Sequence, residues 1–157
     1  MWLILMLVLV MGLENLLRKK GRSFMKKYDN FVNALEKLTM INNYDEPYDD
    51  LQINGLVHLY EVCFEQSWKA MKEILEDGGF DMALSGSPKQ IIKTAYSAGM
   101  ISNEDIWLEA LKARNDVTHS YNEEIAMDII HNTKDKFLGM FLNLKDCIER
   151  NWAPRKL

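Results

Sequence analysis

The longest helical pattern in the chain covers residues 50–76 and reads DLQINGLVHLYEVCFEQSWKAMKEILE. Large apolar side chains recur in it every three or four residues, so on a helix they form one continuous seam that has to be buried. Asp49 or Asp50 is placed to cap the start of this helix, and Gly78–Gly79 ends it. The pattern therefore predicts a long central helix. Its seam consists of Leu56, Leu59, Tyr60, Cys63, Phe64, Trp68, Met71 and Leu75.

Four further helices are predicted around this one. In chain order they are residues 26–44, a short helix that follows Ser87–Pro88 and stops at Gly99, a helix from Asn103 to Arg114, and a last helix from Asn122 to about Asn151. No segment alternates apolar and polar residues as a half-buried strand does. The sequence therefore predicts an all-α domain, an antiparallel up-and-down bundle of four main helices plus one short helix.

The composition is that of one folded globular domain. The chain has 157 residues, of which 48% are hydrophobic and 27% charged, and this excludes disordered, collagen-like and low-complexity proteins. The formal net charge of -4 does not attract polyanions, so contact with nucleic acid needs a local basic patch. Cys63 and Cys147 have no C-x-x-C motif and no partnering histidine, so no disulfide, metal site or cofactor is predicted. A reducing, cytoplasmic location fits best.

The N-terminal residues 1–24 form an extension that is first apolar and then basic. Residues 2–13 read WLILMLVLVMGL, and a helix of this length reaches about 18 Å, too short for a hydrocarbon core of about 30 Å. The segment also lacks the basic start and the cleavage site of a signal peptide. Neither export nor stable membrane insertion is therefore expected.

We expect translation to start at Met25. Residues 20–24 can be encoded by codons that contain a ribosome-binding sequence at normal spacing from that methionine. A membrane-surface anchor and an extra packed helix are the alternatives for the extension. The predicted division of the chain is an extension over residues 1–24, a helical domain over residues 25–151 and a tail over residues 152–157.

A polar segment at the end of the fourth helix is the candidate functional site. It reads RNDVTHSY, residues 114–121, and it combines a permanent cation (Arg114), an acid/base group (His119) and a phenol (Tyr121). On an unbroken helix Arg114 and His119 lie about 140° apart. The helix therefore has to end or bend near Thr118, or a second copy of the chain has to contribute.

Metal-free RNA cleavage needs a base for the 2′-hydroxyl, an acid for the leaving 5′-oxygen and positive charge at the phosphate. One arginine and one histidine do not fill three roles, whereas a two-fold dimer supplies two of each. The structural alternatives are an ion pair of Arg114 with Asp116 or Glu123, and a capping hydrogen bond from His119. These alternatives stay open at the level of the residues.

The segment resembles the signature of the HEPN superfamily, which is an arginine, a polar residue, three to five others and a histidine. Arg114, Asn115 and His119 match it. Tyr121, two residues after the histidine, matches the addition found in the nucleotidyltransferase substrate-binding protein family and its HepT toxins. The likeness covers residues 26–150 and includes, in order, Phe64–Lys69, Ser87–Pro88, Gly99, Trp107, Leu111 and Asn122–Glu124.

This resemblance implies a homodimeric helical bundle encoded beside a minimal nucleotidyltransferase. In the toxin–antitoxin members the bundle is a metal-independent ribonuclease, and the partner silences it by transferring AMP from ATP to the motif tyrosine. Carried over to this chain, Arg114 stabilises phosphate charge, His119 is the acid/base, Asn115 orients or binds, and Tyr121 is the modified hydroxyl. RNA is then the expected substrate. The alternative is a non-catalytic subunit that presents Tyr121 or a groove to the nucleotidyltransferase.

Overall fold

The computed structural model describes residues 1–80 and 86–152, and for residues 17–25 it describes the backbone only. Within these ranges the chain is helical and contains no strand, so the all-α prediction is confirmed. Most of the predicted loop 80–86 and of the predicted tail 152–157 lies outside the described residues. The helices are α1 (Trp2–Thr39), α2 (Asp50–Asp77), α3 (Pro88–Ser97), α4 (Glu104–His119), α5 (Glu123–Asn132) and α6 (Leu138–Cys147).

The last predicted helix forms one continuous helical segment, the last rod (residues 123–152), which contains two wider turns. π-helical turns at Thr133–Phe137 and Ile148–Trp152 follow α5 and α6. A π turn accommodates an extra residue in the helix, and the first of these two turns contains the buried side chains of Thr133 and Phe137. With α1, α2 and α4 this rod makes up the four main helices that were predicted, and α3 is the short helix.

Side-chain caps fix the starts of four helices. Asp49 accepts a hydrogen bond from the backbone N–H of Gln52 (2.8 Å), and the Gln52 side chain accepts one from the backbone N–H of Asp49 (3.0 Å), which forms a capping box. Ser87, Asn103 and Asn122 cap α3, α4 and α5, each through the backbone N–H three residues further on. Each such cap stabilises its helix by about 1 kcal/mol, and the predicted starts are confirmed.

The core has an aromatic centre that joins α2, α4 and the last rod. Tyr60 stacks on Phe137 with ring centroids 5.5 Å apart, and Trp107 packs edge-to-face on Phe141 at 5.6 Å. None of these four side chains is more than 2% exposed. Because Trp107 belongs to α4, the helix that carries most of the candidate site is fixed to the core.

A buried hydrogen bond adds a polar connection between α2 and α4. The Tyr60 hydroxyl donates to the carbonyl oxygen of Ala110 at 2.5 Å. Burial raises the pKa of the Tyr60 hydroxyl, so the phenol keeps its proton and remains a donor. This bond lies one helical turn before Arg114, and it fixes the position of α4 at the start of the candidate site.

α1 extends beyond the bundle at its N-terminal end. Its large apolar side chains from Trp2 to Leu13 are between 50% and 89% exposed, so they do not pack on the domain as an extra helix, and that alternative is wrong for these residues. The predicted boundary between residues 24 and 25 falls inside α1 and stays a prediction. Among the described residues, no helix combines the length and the apolar composition that a membrane crossing requires.

Deleting residues 2–13 is expected to change the free energy of unfolding by no more than about 0.5 kcal/mol, because exposed residues contribute little to stability. The deletion also removes a large exposed apolar surface, which should reduce self-association. Urea unfolding followed by circular dichroism and light scattering measure the two effects. As a control, Phe31→Ala in the buried part of α1 should cost about 3 to 5 kcal/mol. A comparable loss in the deletion variant would show that the extension packs on the domain.

Candidate functional site

The candidate residues lie at the end of α4 and in the corner that joins α4 to α5. Arg114, Asn115 and His119 belong to α4, and His119 is its last residue. Ser120 is the C-cap and donates its backbone N–H to the carbonyl oxygen of Asp116 at 2.9 Å. α4 therefore continues beyond Arg114, where the predicted helix ended, and runs without a bend past Thr118 to His119; Tyr121 follows in the corner.

The Arg114 guanidinium is held by one ion pair and one hydrogen bond. Its Nη2 lies 2.5 Å from Oε1 of Glu65 on α2, and its Nη1 donates to Oδ1 of Asn115 at 3.2 Å. The Arg114 side chain is 32% exposed. It therefore remains open to a ligand while its direction is fixed by α2 and by its own neighbour, Asn115.

The acidic partner of Arg114 differs from the two that the sequence suggested. Asp116 lies two residues along α4 and so on a different side of the helix, and it pairs instead with Lys112 at 2.5 Å. Glu123 lies beyond the corner, at the start of α5. Glu65 reaches Arg114 because α2 packs beside α4, which is a tertiary contact that the local sequence does not show.

Glu65 is a site residue that the sequence reasoning missed. Its Oε2 accepts a hydrogen bond from Trp68 Nε1 at 3.2 Å and lies 3.7 Å from Lys69 Nζ. Its Oε1 is shielded from solvent and is matched by the charge of Arg114, without the alignment of a regular hydrogen bond. A carboxylate placed inside the aromatic seam of α2 was the signal that could have identified it.

His119 is exposed, and within residues 1–80 and 86–152 its imidazole has no hydrogen-bond or ion-pair partner. The capping hydrogen bond considered for His119 is therefore not found there. Because α4 is unbroken from Arg114 to His119, the two side chains point to different sides of the helix. A single chain brings Arg114 and Asn115 together but does not add His119 to them.

Tyr121 leans back from the corner onto α2. Its hydroxyl donates to Oδ1 of Asn54 at 2.5 Å, and the side chain is 53% exposed. Asn54 and Glu65 are eleven residues apart, which is three helical turns, so they lie on one face of α2. That face of α2 therefore borders the candidate site, opposite α4 and its corner. Asn54 carried no signal in the sequence.

The two remaining histidines lie at the surface. His58 is exposed on α2, and His131 forms a surface ion pair with Glu46. In the described parts of the chain no group of three or more His, Cys, Asp or Glu side chains is arranged to hold a metal ion. A cleft of about 560 Å³, lined among others by Met100 and Trp107, contains none of the four candidate residues.

Comparisons with known proteins found a matching family and a similar protein sequence. A family profile described as nucleotidyltransferase substrate binding protein like matches residues 26–150. A Haemophilus influenzae protein described as a probable ribonuclease HepT is 27% identical over 104 residues, which cover 65% of this chain and 71% of that protein.

Two solved structures share the fold. One, from Thermus thermophilus, has a TM-score of 0.66 at 24% identity and covers 76% of this chain and 99% of its own. The other, from Haemophilus influenzae, was described as the fold of a substrate-binding domain of a nucleotidyltransferase, and it has a TM-score of 0.57 at 23% identity over 87% of this chain and 98% of its own. These identities show the fold alone.

Proposed function

This chain belongs to the family of nucleotidyltransferase substrate-binding proteins, and we propose on that basis that it is the HEPN-type partner of a minimal nucleotidyltransferase in a toxin–antitoxin pair. Its activity is metal-independent cleavage of RNA at the interface of a homodimer. The relative described as a probable ribonuclease HepT supports this function. The observation that carries it is the α4–α5 corner, where a guanidinium, an exposed imidazole and a half-exposed phenol lie within eight residues.

The reaction begins with attack of the RNA 2′-hydroxyl on the adjacent phosphorus, which expels the 5′-oxygen and leaves a cyclic phosphate. One His119 imidazole accepts the proton of the 2′-hydroxyl, and the imidazole of the second copy donates a proton to the leaving oxygen. Arg114 donates N–H groups to the phosphate oxygens, whose negative charge increases in the transition state. The dimer is required because one corner supplies a single imidazole.

Tyr121 is the residue through which the nucleotidyltransferase silences this activity. The phenolic oxygen attacks the α-phosphorus of ATP, the bond to pyrophosphate breaks, and the phenolic proton passes to a base on the transferase. The attached AMP places negative charge and bulk where the RNA phosphate has to lie. Because the Tyr121 hydroxyl is hydrogen-bonded to Asn54, that bond has to open before transfer.

Co-expression with the neighbouring nucleotidyltransferase is expected to add AMP to Tyr121. Intact mass of the purified chain detects the addition, and peptide mapping locates it. Tyr121→Phe should abolish the mass gain, whereas Tyr96→Phe, at a tyrosine of similar exposure (47%), should leave it unchanged. A gain of AMP that persists in Tyr121→Phe would assign the modification to another residue.

The ribonuclease activity is tested with the unmodified chain and single-stranded RNA in the presence of EDTA. Cleavage by the unmodified protein that disappears after AMP transfer supports the proposed function. Complete absence of cleavage in both forms would overturn it.

One observation favours a second function, that of a non-catalytic subunit which only presents Tyr121 to the transferase. The charge of Arg114 is already matched by Glu65 within the chain, and this lowers its attraction for RNA phosphate. AMP transfer to Tyr121 without RNA cleavage by either form would establish this second function in place of the first.

A further inference from the structure

Glu65 connects α2 with α4 at the proposed site. Trp68 and Lys69, on its own helix, hold Oε2 at 3.2 Å and 3.7 Å, and this leaves Oε1 directed at Arg114. The Glu65 side chain is 24% exposed, but Oε1 itself has no contact with solvent. The carboxylate is therefore fixed at both oxygens, one on α2 and one on α4.

The shielded oxygen restricts how far Arg114 can move. If the guanidinium left Glu65, Oε1 would stay shielded from solvent, and Lys69, at 3.7 Å from Oε2, would be the cation left beside the carboxylate, which is unfavourable. We therefore expect Arg114 to stay on Glu65 when a ligand binds. Of the five N–H groups of a guanidinium, one side of the fork faces Glu65 and another N–H goes to Asn115, so N–H groups remain for a phosphate.

We propose that Glu65 is a positioning residue for Arg114: it fixes the guanidinium so that its remaining N–H groups meet the scissile phosphate, and it limits how tightly RNA binds before cleavage. The proposal rests on the proposed ribonuclease function. It follows from the geometry that the carboxylate has two separable effects on Arg114, one through its shape as an acceptor and one through its charge.

Two substitutions separate these effects. Glu65→Gln keeps an oxygen acceptor of the same shape but removes the negative charge, so KM for RNA should fall about three- to fivefold while kcat changes little. Glu65→Ala removes the acceptor and releases the guanidinium, so kcat should fall about 10- to 100-fold because orientation is lost. A side chain with a merely structural role would not split KM from kcat between these two variants.

Glu76 provides the matched control. It lies three helical turns beyond Glu65 on α2, its side chain is 27% exposed, and it pairs with Lys72 at 3.7 Å, much as Glu65 pairs with Lys69. Glu76→Gln and Glu76→Ala make the same changes in charge and size at a distance from Arg114. Equal kinetic effects in the Glu76 and Glu65 series would overturn the proposal.

A second measurement does not depend on cleavage. The Arg114 side-chain N–H signals in nuclear magnetic resonance spectra should show a rigid group in the wild-type protein and in Glu76→Ala, and a mobile group in Glu65→Ala. If the wild-type protein binds no RNA and cleaves none, the proposed function fails, while a rigid Arg114 that is released by Glu65→Ala still supports positioning. An Arg114 signal that is unchanged in Glu65→Ala overturns the positioning role whatever the activity.

Discussion

His119→Ala is expected to reduce RNA cleavage by about 10²- to 10⁴-fold, the usual contribution of a positioned acid/base group. In a two-fold dimer the substitution removes both imidazoles together, so the base and the acid are lost in one variant. The initial rate of cleavage of a labelled single-stranded RNA measures the effect. Unfolding should be unaffected, because His119 is exposed and makes no hydrogen bond within the described part of the chain.

His131→Ala is the control for this experiment. His131 is also exposed, but it lies at the end of α5, away from the corner, and its surface ion pair with Glu46 contributes little to stability. Its removal should leave the cleavage rate within about twofold, in line with the small effects of surface substitutions. Size-exclusion chromatography establishes that both variants keep the oligomeric state of the wild type. Equal rates for His119→Ala and the wild type would remove the acid/base role.

Trp107→Ala is expected to lower the free energy of unfolding by about 3 to 5 kcal/mol. The indole is 2% exposed and packs on Phe64 and Phe141, so its removal leaves a cavity between α2, α4 and the last rod. Urea unfolding followed by circular dichroism measures the loss. Because α4 also carries Arg114 and His119, ribonuclease activity and AMP transfer should decline together with the folded fraction.

Leu51→Ala provides the comparison for this core substitution. Leu51 is an apolar residue of α2 that is 84% exposed, so its truncation removes methyl groups that water already surrounds. The free energy of unfolding should change by less than about 0.5 kcal/mol. A small effect of Trp107→Ala, similar to that of Leu51→Ala, would contradict the buried packing of α4.

The fold could be predicted because its signals are local. Asp49, Ser87, Asn103 and Asn122 each combine a capping side chain with the start of an apolar pattern, and all four caps are formed in the structure. The π turns were not predicted, since the apolar spacing of the last helix fits an ordinary α-helix. The exposure of residues 2–16 in α1 likewise depends on what surrounds them and not on their own composition.

The candidate site was predictable in part. The segment 114–121 was predicted to lie at a helix end. The structure places its candidate residues there, and they are Arg114, Asn115, His119 and Tyr121. The side chains that contact Arg114 and Tyr121, which are Glu65 and Asn54, lie 49 and 67 positions away from them along the chain. Such partners become neighbours only when α2 and α4 are packed, so local spacing cannot reveal them.

The connections of α4 and its corner to α2 have a further consequence. The Tyr60 hydroxyl bond to Ala110, the Glu65 ion pair with Arg114 and the Asn54 bond to Tyr121 link this region to the central helix at three points. The amides in the middle of α4 should therefore exchange with deuterium at a free energy close to that of α2, whereas the first turn and the exposed end at His119 should exchange sooner. The part of the site around Arg114 should accordingly lose its structure together with the whole bundle.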